Sequence, residues 1–360
     1  MEVTFYESLD SEHAVRLQRF NDSAPVGALH QTAAWPVINP ATKGQSYLYF
    51  VVSDSDGTWC SAGLVRLSKL LGGFSLAAIQ RGPVTRQIEE LPQVLAVLET
   101  GLRKKGAVNL TVNPFWIGAQ AEVAQKELEN IGYTVLGPEL RNMPTATAMT
   151  DLSRDEEEIQ HSFTPANRRA IAKSIREGLI IRDVETLDEA RALNDCMRGM
   201  AAATGMILDS QHDFTTHLTH LRDNPDQGCI LIALLDDILV AGAVIYREGS
   251  RSTCFLLTSP PDLETKIPRT NLITWESLRR MKAMGCTEFD FVGYPDDRLG
   301  REDDLSRGRF KASFTPEIKY VTPLMVKPFR KVPSAIAQAM RGIVRKSKIG
   351  KSVKRVLRRT

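Results

Sequence analysis

Residues 278–292 read Leu278-Arg279-Arg280-Met281-Lys282-Ala283-Met284-Gly285-Cys286-Thr287-Glu288-Phe289-Asp290-Phe291-Val292, and the order of their chemistry decides the fold. A basic turn ends a helix, a glycine stops it, and an alternating stretch starts a strand. The same order occurs 179 residues earlier, where Leu102-Arg103-Lys104-Lys105 precede Gly106 and the strand Val108-Asn109-Leu110-Thr111-Val112. Ala62-Gly63 in a first hairpin and Ala241-Gly242 in a second are separated by the same 179 positions. One offset at two landmarks predicts duplication of an α/β unit of about half the chain.

The first half predicts a short helix and then strands over 46–53 and 58–67, turned across Asp54-Ser55-Asp56-Gly57. After Arg81-Gly82-Pro83 comes a helix with Leu95, Leu98 and Leu102 on one face, then a strand over 107–112, a helix over 120–131 and a short strand over 133–136. Ser153-x-x-Glu156 has the form of a capping box. Pro165 and Gly178 bracket a basic helix. Helices near 187–201 and 211–222 precede strands over 229–235, 238–247 and 252–258. The layout is an α/β fold of mixed sheets with helices on their faces. It divides into domains over 1–152 and 153–326, followed by a basic tail over 327–360.

The chain has 360 residues, 42% hydrophobic and 25% charged, which suits a folded protein of two domains. Its apolar runs fall short of the ~18 residues that span a bilayer. Glu2 stands where a secretory signal would be basic and no apolar run follows it, so cytoplasmic residence is expected. Five scattered cysteines include no C-x-x-C pair, and neither a disulfide framework nor a zinc knuckle is legible. The net charge of +3 hides a split: residues 318–360 hold thirteen Lys or Arg and no acid, leaving the body at −10. Such a tail fits a polyanionic partner, either RNA or the anionic inner face of a membrane. Ile336, Met340, Ile343, Val344, Val353, Val356 and Leu357 recur within it at imperfect helical spacing, as expected of a segment that orders on a surface.

Three stretches carry a resemblance. They are His30-Gln31-Thr32-Ala33-Ala34-Trp35, Gln80-Arg81-Gly82-Pro83-Val84, and Phe289-Asp290-Phe291-Val292-Gly293 leading to Arg309-Phe310-Lys311-Ala312-Ser313-Phe314. In this order, over roughly residues 28–326, the chain resembles the FemABX family, whose members use a GNAT-like acyltransferase fold twice and add amino acids from aminoacyl-tRNA to peptidoglycan stem peptides. The resemblance implies transfer of an aminoacyl group to a muropeptide precursor, with no cofactor and no metal. It implies that Lys311 stabilises the tetrahedral intermediate, that Arg168 and Arg169 lie on a phosphate-contacting basic helix, and that Trp35, Arg81 and Phe310 bind substrate. A lysine that the family often places soon after the tryptophan has no counterpart in Pro36-Val37-Ile38-Asn39. The pyrophosphate-binding turn Q/R-x-x-G-x-G/A of acyl-CoA-using enzymes is absent from both halves.

From the residues themselves, Lys311 also fits a solvated helix position between the inward-facing Phe310 and Phe314. Asp290 projects from the strand face opposite Phe289 and Phe291. A carboxylate there is either an acid or base that orients the amine, or a ligand for loop amides near Gly293 or for an arginine. Arg168 and Arg169 equally suit a solvated face. His212, His217 and His220 with Asp209 and Asp213 could hold a metal only if they converge, a pattern that surface helices often mimic. No G-x-S-x-G, Walker A or dinucleotide fingerprint occurs, so hydrolase, NTPase and dehydrogenase readings have no support. The rival readings are an N-acyltransferase using a thioester donor on another cell-envelope amine, and a silent binding protein for RNA or membrane.

Overall fold

A computed structural model describes residues 1–137, 144–263, 267–295 and 305–330. The chain opens with β1 (Glu2–Tyr6), α1 (Ser11–Ser23) and the short α2 (Trp35–Ile38). The hairpin of β2 (Gln45–Ser53) and β3 (Trp59–Lys69) is followed by β4 (Ser75–Ile79), β5 (Val84–Thr85) and α3 (Leu91–Lys104). Then come β6 (Ala107–Val112), α4 (Ala119–Asn130) and β7 (Thr134–Val135). The first half ends with β8 (Ala146–Asp151), and the second contains α5 (Glu156–Ser162), α6 (Pro165–Arg176), β9 (Ile180–Asp183), α7 (Leu187–Thr204) and α8 (Phe214–Asp223). It continues through the meander β10 (Gly228–Leu235), β11 (Ile238–Glu248) and β12 (Arg251–Thr258) to α9 (Asn271–Ala283), β13 (Glu288–Asp290), α10 (Leu305–Ala312), β14 (Ile318–Tyr320) and β15 (Met325–Pro328).

The two sheets repeat one plan. The first runs β1-β2-β3-β4-β6-β15-β7 with β5 on β3, and the second runs β9-β10-β11-β12-β13-β8-β14. Gly63 and Gly242 both lie in the third strand of their sheets, and Gly106 and Gly285 both end a helix with φ near +84° (83° and 84°). That left-handed backbone is open to glycine at little cost. The predicted duplication is therefore visible strand by strand.

The two halves also exchange a strand, which no local sequence pattern signals. The sixth strand of each sheet comes from the other half: β8 sits between β13 and β14, and β15 sits between β6 and β7, each antiparallel to both neighbours. Residues 146–151 thus complete the second sheet and 325–328 the first. Sheet membership does not change at 152 and 326, where the sequence places its domain boundaries, because the halves exchange a strand.

Packing follows sequence spacing. Leu91, Val94, Leu95, Leu98 and Leu102 line one face of α3 and are fully buried against the first sheet with Phe50, Ile79, Leu110 and Val112. Each such side chain contributes roughly 1.5–3 kcal/mol by leaving water. A second core joins Phe163, Leu231, Ile273, Phe289 and Phe314. β4 is not predicted from sequence because Ser75-Leu76-Ala77-Ala78-Ile79 lies almost wholly buried on both faces and so lacks alternation. The capping box at Ser153 is corrected: Asp155 caps α5 by accepting from the Glu158 amide at 2.8 Å, while Ser153 binds Asp151. Among the described residues no helix is long and apolar enough to cross a membrane. The tail from 331 onward lies outside the described residues, as does the surface-binding segment expected there.

Candidate active site

The first motif is built around a buried glutamine. Gln31 accepts from the Leu64 amide through Oε1 (3.0 Å) and donates from Nε2 to Gln80 O (2.7 Å), pinning the 29–31 turn onto β3 and onto the 80–83 loop. This needs Gly63, since a Cβ there would lie 2.0 Å from Gln31 Oε1. The pin fixes His30 against Trp35, with ring centroids 4.1 Å apart.

The second lobe supplies an opening that the first lacks. In the first sheet, β4 and β6 pair in parallel from Ser75 and Ala107 to Ile79 and Val112. In the second, β12 and β13 pair only from Arg251 and Glu288 to Thr253 and Asp290, and then diverge. A register shift in the pairing of β11 leaves Phe255 as an extra residue on β12, which bends that strand away. On the other side the chain turns at Val292, whose φ of 51° is a left-handed conformation that disfavours a β-branched residue.

Asp290 holds that turn. Buried at 1% exposure, it accepts from the Val292 amide at 2.8 Å and from the Thr147 hydroxyl, which reaches it from the exchanged strand β8. The turn in turn directs the carbonyls of Val292 and Gly293 at the Lys311 ammonium, the latter at 2.5 Å. Phe310 and Phe314 flank the lysine, with ring centroids 5.3 Å apart. Of the two readings open for Asp290, this geometry favours the one in which it binds a loop amide.

Two cavities meet at the divergence. One, of about 650 Å³, is walled by Met197, Met200, Met206, Leu257, Phe310 and Lys311. The other, of about 250 Å³, lies between the lobes and is walled by His30, Arg81, Phe115, Glu248, Arg251 and Asp290. His212, Phe255, Leu256 and Val292 line both. Glu248 and Arg251 join the lobes here. Glu248 Oε1 accepts from the Leu29 amide (2.7 Å), its Oε2 accepts from Arg251 (2.9 Å) and Thr253 (2.7 Å), and Arg251 also donates to Gly27 O. Burial pushes the Glu248 carboxyl up, but Arg251 and the two other donors outweigh it and hold the pKa below the ordinary value. Sequence reading missed this pair, because Glu248-Gly249-Ser250-Arg251 has the composition of an exposed hairpin turn. It also missed His30, Phe115 and Thr147.

The structure gathers Lys311, Asp290, Arg81 and Phe310 at these cavities and places the remaining candidates elsewhere. Trp35 is 2% exposed and serves as the support behind His30 and Phe255. Arg168 donates to the carbonyls of His161 and Phe163, both at 2.6 Å, and closes the end of α5. Arg169 is exposed on α6 and lines neither cavity. Arg168→Ala is expected to lower stability by about 1–2 kcal/mol and leave acceptor KM unchanged. A severalfold rise in KM at unchanged stability would return Arg168 to phosphate binding.

The histidines clustered around α8 have separate partners: His212 meets Asp209, His220 meets Gln227, and His217 is buried beneath Tyr246. His217 Nε2 donates to Gln211 O and Nδ1 accepts from the Tyr246 hydroxyl, both at 2.9 Å, which fixes the Gln211-His212 wall of the cavities. Burial pulls the His217 pKa from 6.5 to about 4. The unfolded chain takes up this proton below 6.5 and the folded chain only near 4. Stability is therefore complete above 6.5 and falls with pH between these values, by up to about 1.4 kcal/mol per pH unit. Urea titrations at several pH values should show this slope, and His217→Gln should flatten it by one proton. An unchanged slope in that variant sinks the assignment.

Comparison with known proteins agrees with this architecture. The model of the FemAB family matches residues 13–219, and that of an acetyltransferase (GNAT) domain matches residues 166–304. The crystal structure of FemX superposes with a TM-score of 0.79 at 14% identity, covering 94% of this chain and 100% of that one. L-PGS from Bacillus licheniformis gives 0.55 at 16% identity, with 94% and 98% covered. No curated protein matches the sequence. With more than half of its length matched by one family model and two GNAT-like lobes in its fold, this chain is an acyltransferase belonging to the FemAB family.

Proposed function

We propose that the protein transfers an amino acid from aminoacyl-tRNA to an amine on a peptidoglycan precursor stem peptide. The observation that carries this reading is the pair of cavities meeting beside Lys311. A reaction between two separate substrates needs two approaches to one point. The acceptor amine, deprotonated, attacks the ester carbonyl carbon. The C–N bond forms, the C–O bond to the ribose breaks, and the proton lost by nitrogen ends on the leaving oxygen. Negative charge gathers on the carbonyl oxygen in between, and the fixed Lys311 ammonium is suited to meet it. Asp290 acts as a positioning residue, because its contacts hold the turn that aims Lys311.

The test incubates the full chain with charged tRNA and nucleotide-linked or lipid-linked muropeptide, with and without ribonuclease. Ribonuclease-sensitive transfer is expected. The match to an acetyltransferase domain supports a second reading with a thioester donor. Transfer that survives ribonuclease and releases free CoA thiol from acyl-CoA would establish that reading instead. Absence of transfer with both donors overturns the proposed donor and acceptor.

We propose further that the basic tail holds the enzyme at the anionic inner face of a membrane, where a lipid-linked acceptor would lie. Ten Lys or Arg and no acid follow Arg330, and such residues contribute about 1 kcal/mol each near an anionic leaflet. Salt-sensitive co-sedimentation with anionic but not neutral vesicles is expected. Equal binding after truncation following Arg330 overturns the membrane role, and lost tRNA affinity with vesicle binding retained moves the tail to the donor.

A further inference from the structure

We infer that Arg81 and Arg251 form a subsite for a carboxylate of the acceptor in the cavity between the lobes. The inference rests on the reading of a peptide-stem acceptor and adds to it the group by which the acceptor is recognised.

Arg81 is 5% exposed and lines that cavity. Its backbone amide is held by Asn113 at 2.9 Å, and its guanidinium lies over the Phe115 ring at 3.8 Å. Among the described residues the guanidinium has neither a hydrogen-bond acceptor nor an ion-pair partner. A desolvated cation without an acceptor is costly, and a stack on an aromatic face recovers only part of that cost. Two more polar atoms at the same cavity are buried and unpartnered, Arg251 Nε and His30 Nδ1. Arg251 lies over the same ring at 4.5 Å.

Asp290 and Glu248 in the walls stabilise the Arg81 charge through space, but neither makes a hydrogen bond or ion pair with it. Glu248 is engaged by Leu29, Arg251 and Thr253, and Asp290 by Thr147 and Val292. A carboxylate ligand in this cavity supplies the acceptor atoms that the walls do not place within reach. A planar guanidinium held over a ring offers a pair of parallel donors that matches the two oxygens of a carboxylate. The two arginines and two acids leave the walls neutral, so a single negative charge is accommodated more readily than the several of a diphosphate. A cavity of about 250 Å³ suits the carboxylate end of a peptide rather than a nucleotide.

The test measures calorimetric binding of the full chain to the free stem pentapeptide and to its two monoamides, one at the C-terminal carboxylate and one at the internal α-carboxylate. The peptide-free nucleotide diphosphate-sugar is the fourth ligand, and Arg81→Gln and Arg81→Lys are compared with the wild type. One monoamide is expected to bind roughly 10- to 100-fold more weakly, Arg81→Gln is expected to show the same loss for the free peptide, and the two losses should not add. Equal binding of all three peptides, or equal Arg81→Gln losses for all of them, overturns the inference while transfer activity still stands. An Arg81-dependent loss confined to the nucleotide sugar also overturns it, in favour of phosphate. A second measurement does not depend on the acceptor: acetate, but not acetamide or chloride at equal ionic strength, should raise the wild-type Tm and leave that of Arg81→Gln unmoved. If no stem peptide binds but this acetate effect is present, the peptidoglycan reading fails and the carboxylate subsite stands. If the acetate effect is absent as well, both fail.

Discussion

Replacing Lys311 by methionine is expected to lower turnover by about two orders of magnitude or more while the protein remains folded. Methionine keeps the unbranched stem between Phe310 and Phe314 and removes only the charge. Two donor contacts, to Val292 O and Gly293 O, are lost with it. Because the oxyanion exists only on the reaction path, kcat and kcat/KM should fall together and KM should hold. Steady-state rates beside thermal unfolding of the same preparation make the check. A folded Lys311→Met enzyme with near-wild-type turnover would remove the lysine from the chemistry. An enzyme with raised KM and unchanged kcat would make it a binding residue instead.

The largest expected effect on stability falls on Glu248. Glu248→Ala should cost about 3–5 kcal/mol, since it strands the Arg251 guanidinium in a site where that arginine is 5% exposed and leaves the Leu29 amide without its acceptor. Removing both charges as Glu248→Gln with Arg251→Met should cost less than Glu248→Ala alone, a non-additivity expected of direct partners. The pair also predicts acid sensitivity. Its folded pKa lies below the ordinary 4.5, so its contribution is complete above that value and is lost as pH falls through the lower folded value. Urea titrations of the single and double variants measure both quantities. Full additivity, or a single variant losing less than 1 kcal/mol, would show that the lobes are held by other contacts.

The legible part of the site is the part carried by local pattern. Phe310 and Lys311 lie in the last turn of α10 and Phe314 in the turn that follows it, so their spacing alone sets two rings inward and a lysine between them. Asp290 alternates with Phe289 and Phe291, so its projection from the other face needs no tertiary knowledge. Arg81 came from its motif, but nothing in Gln80-Arg81-Gly82-Pro83 says that the guanidinium is buried over Phe115. Trp35 shows the reverse failure: an aromatic quoted for substrate contact became the packing behind His30. Arg168 had a basic helix as context and two backbone carbonyls within reach, and the second feature is invisible to composition.

The repeated unit is written locally, because helix stops, glycine turns and strand alternation are local properties and recur at a fixed offset of 179 residues. The charge split between body and tail is likewise read from the sequence by itself. Which half is open depends instead on contacts between distant segments. Each sheet has a parallel pair at this position, β4 with β6 and β12 with β13, and the chemistry of either pair is equally compatible with full pairing. The difference arises from the bulge at Phe255, the left-handed turn at Val292 and the Thr147 hydroxyl delivered by an exchanged strand. Strand exchange and bulges depend on which distant segment reaches a sheet position first to bury its side chains, a competition between long-range contacts that no local pattern records.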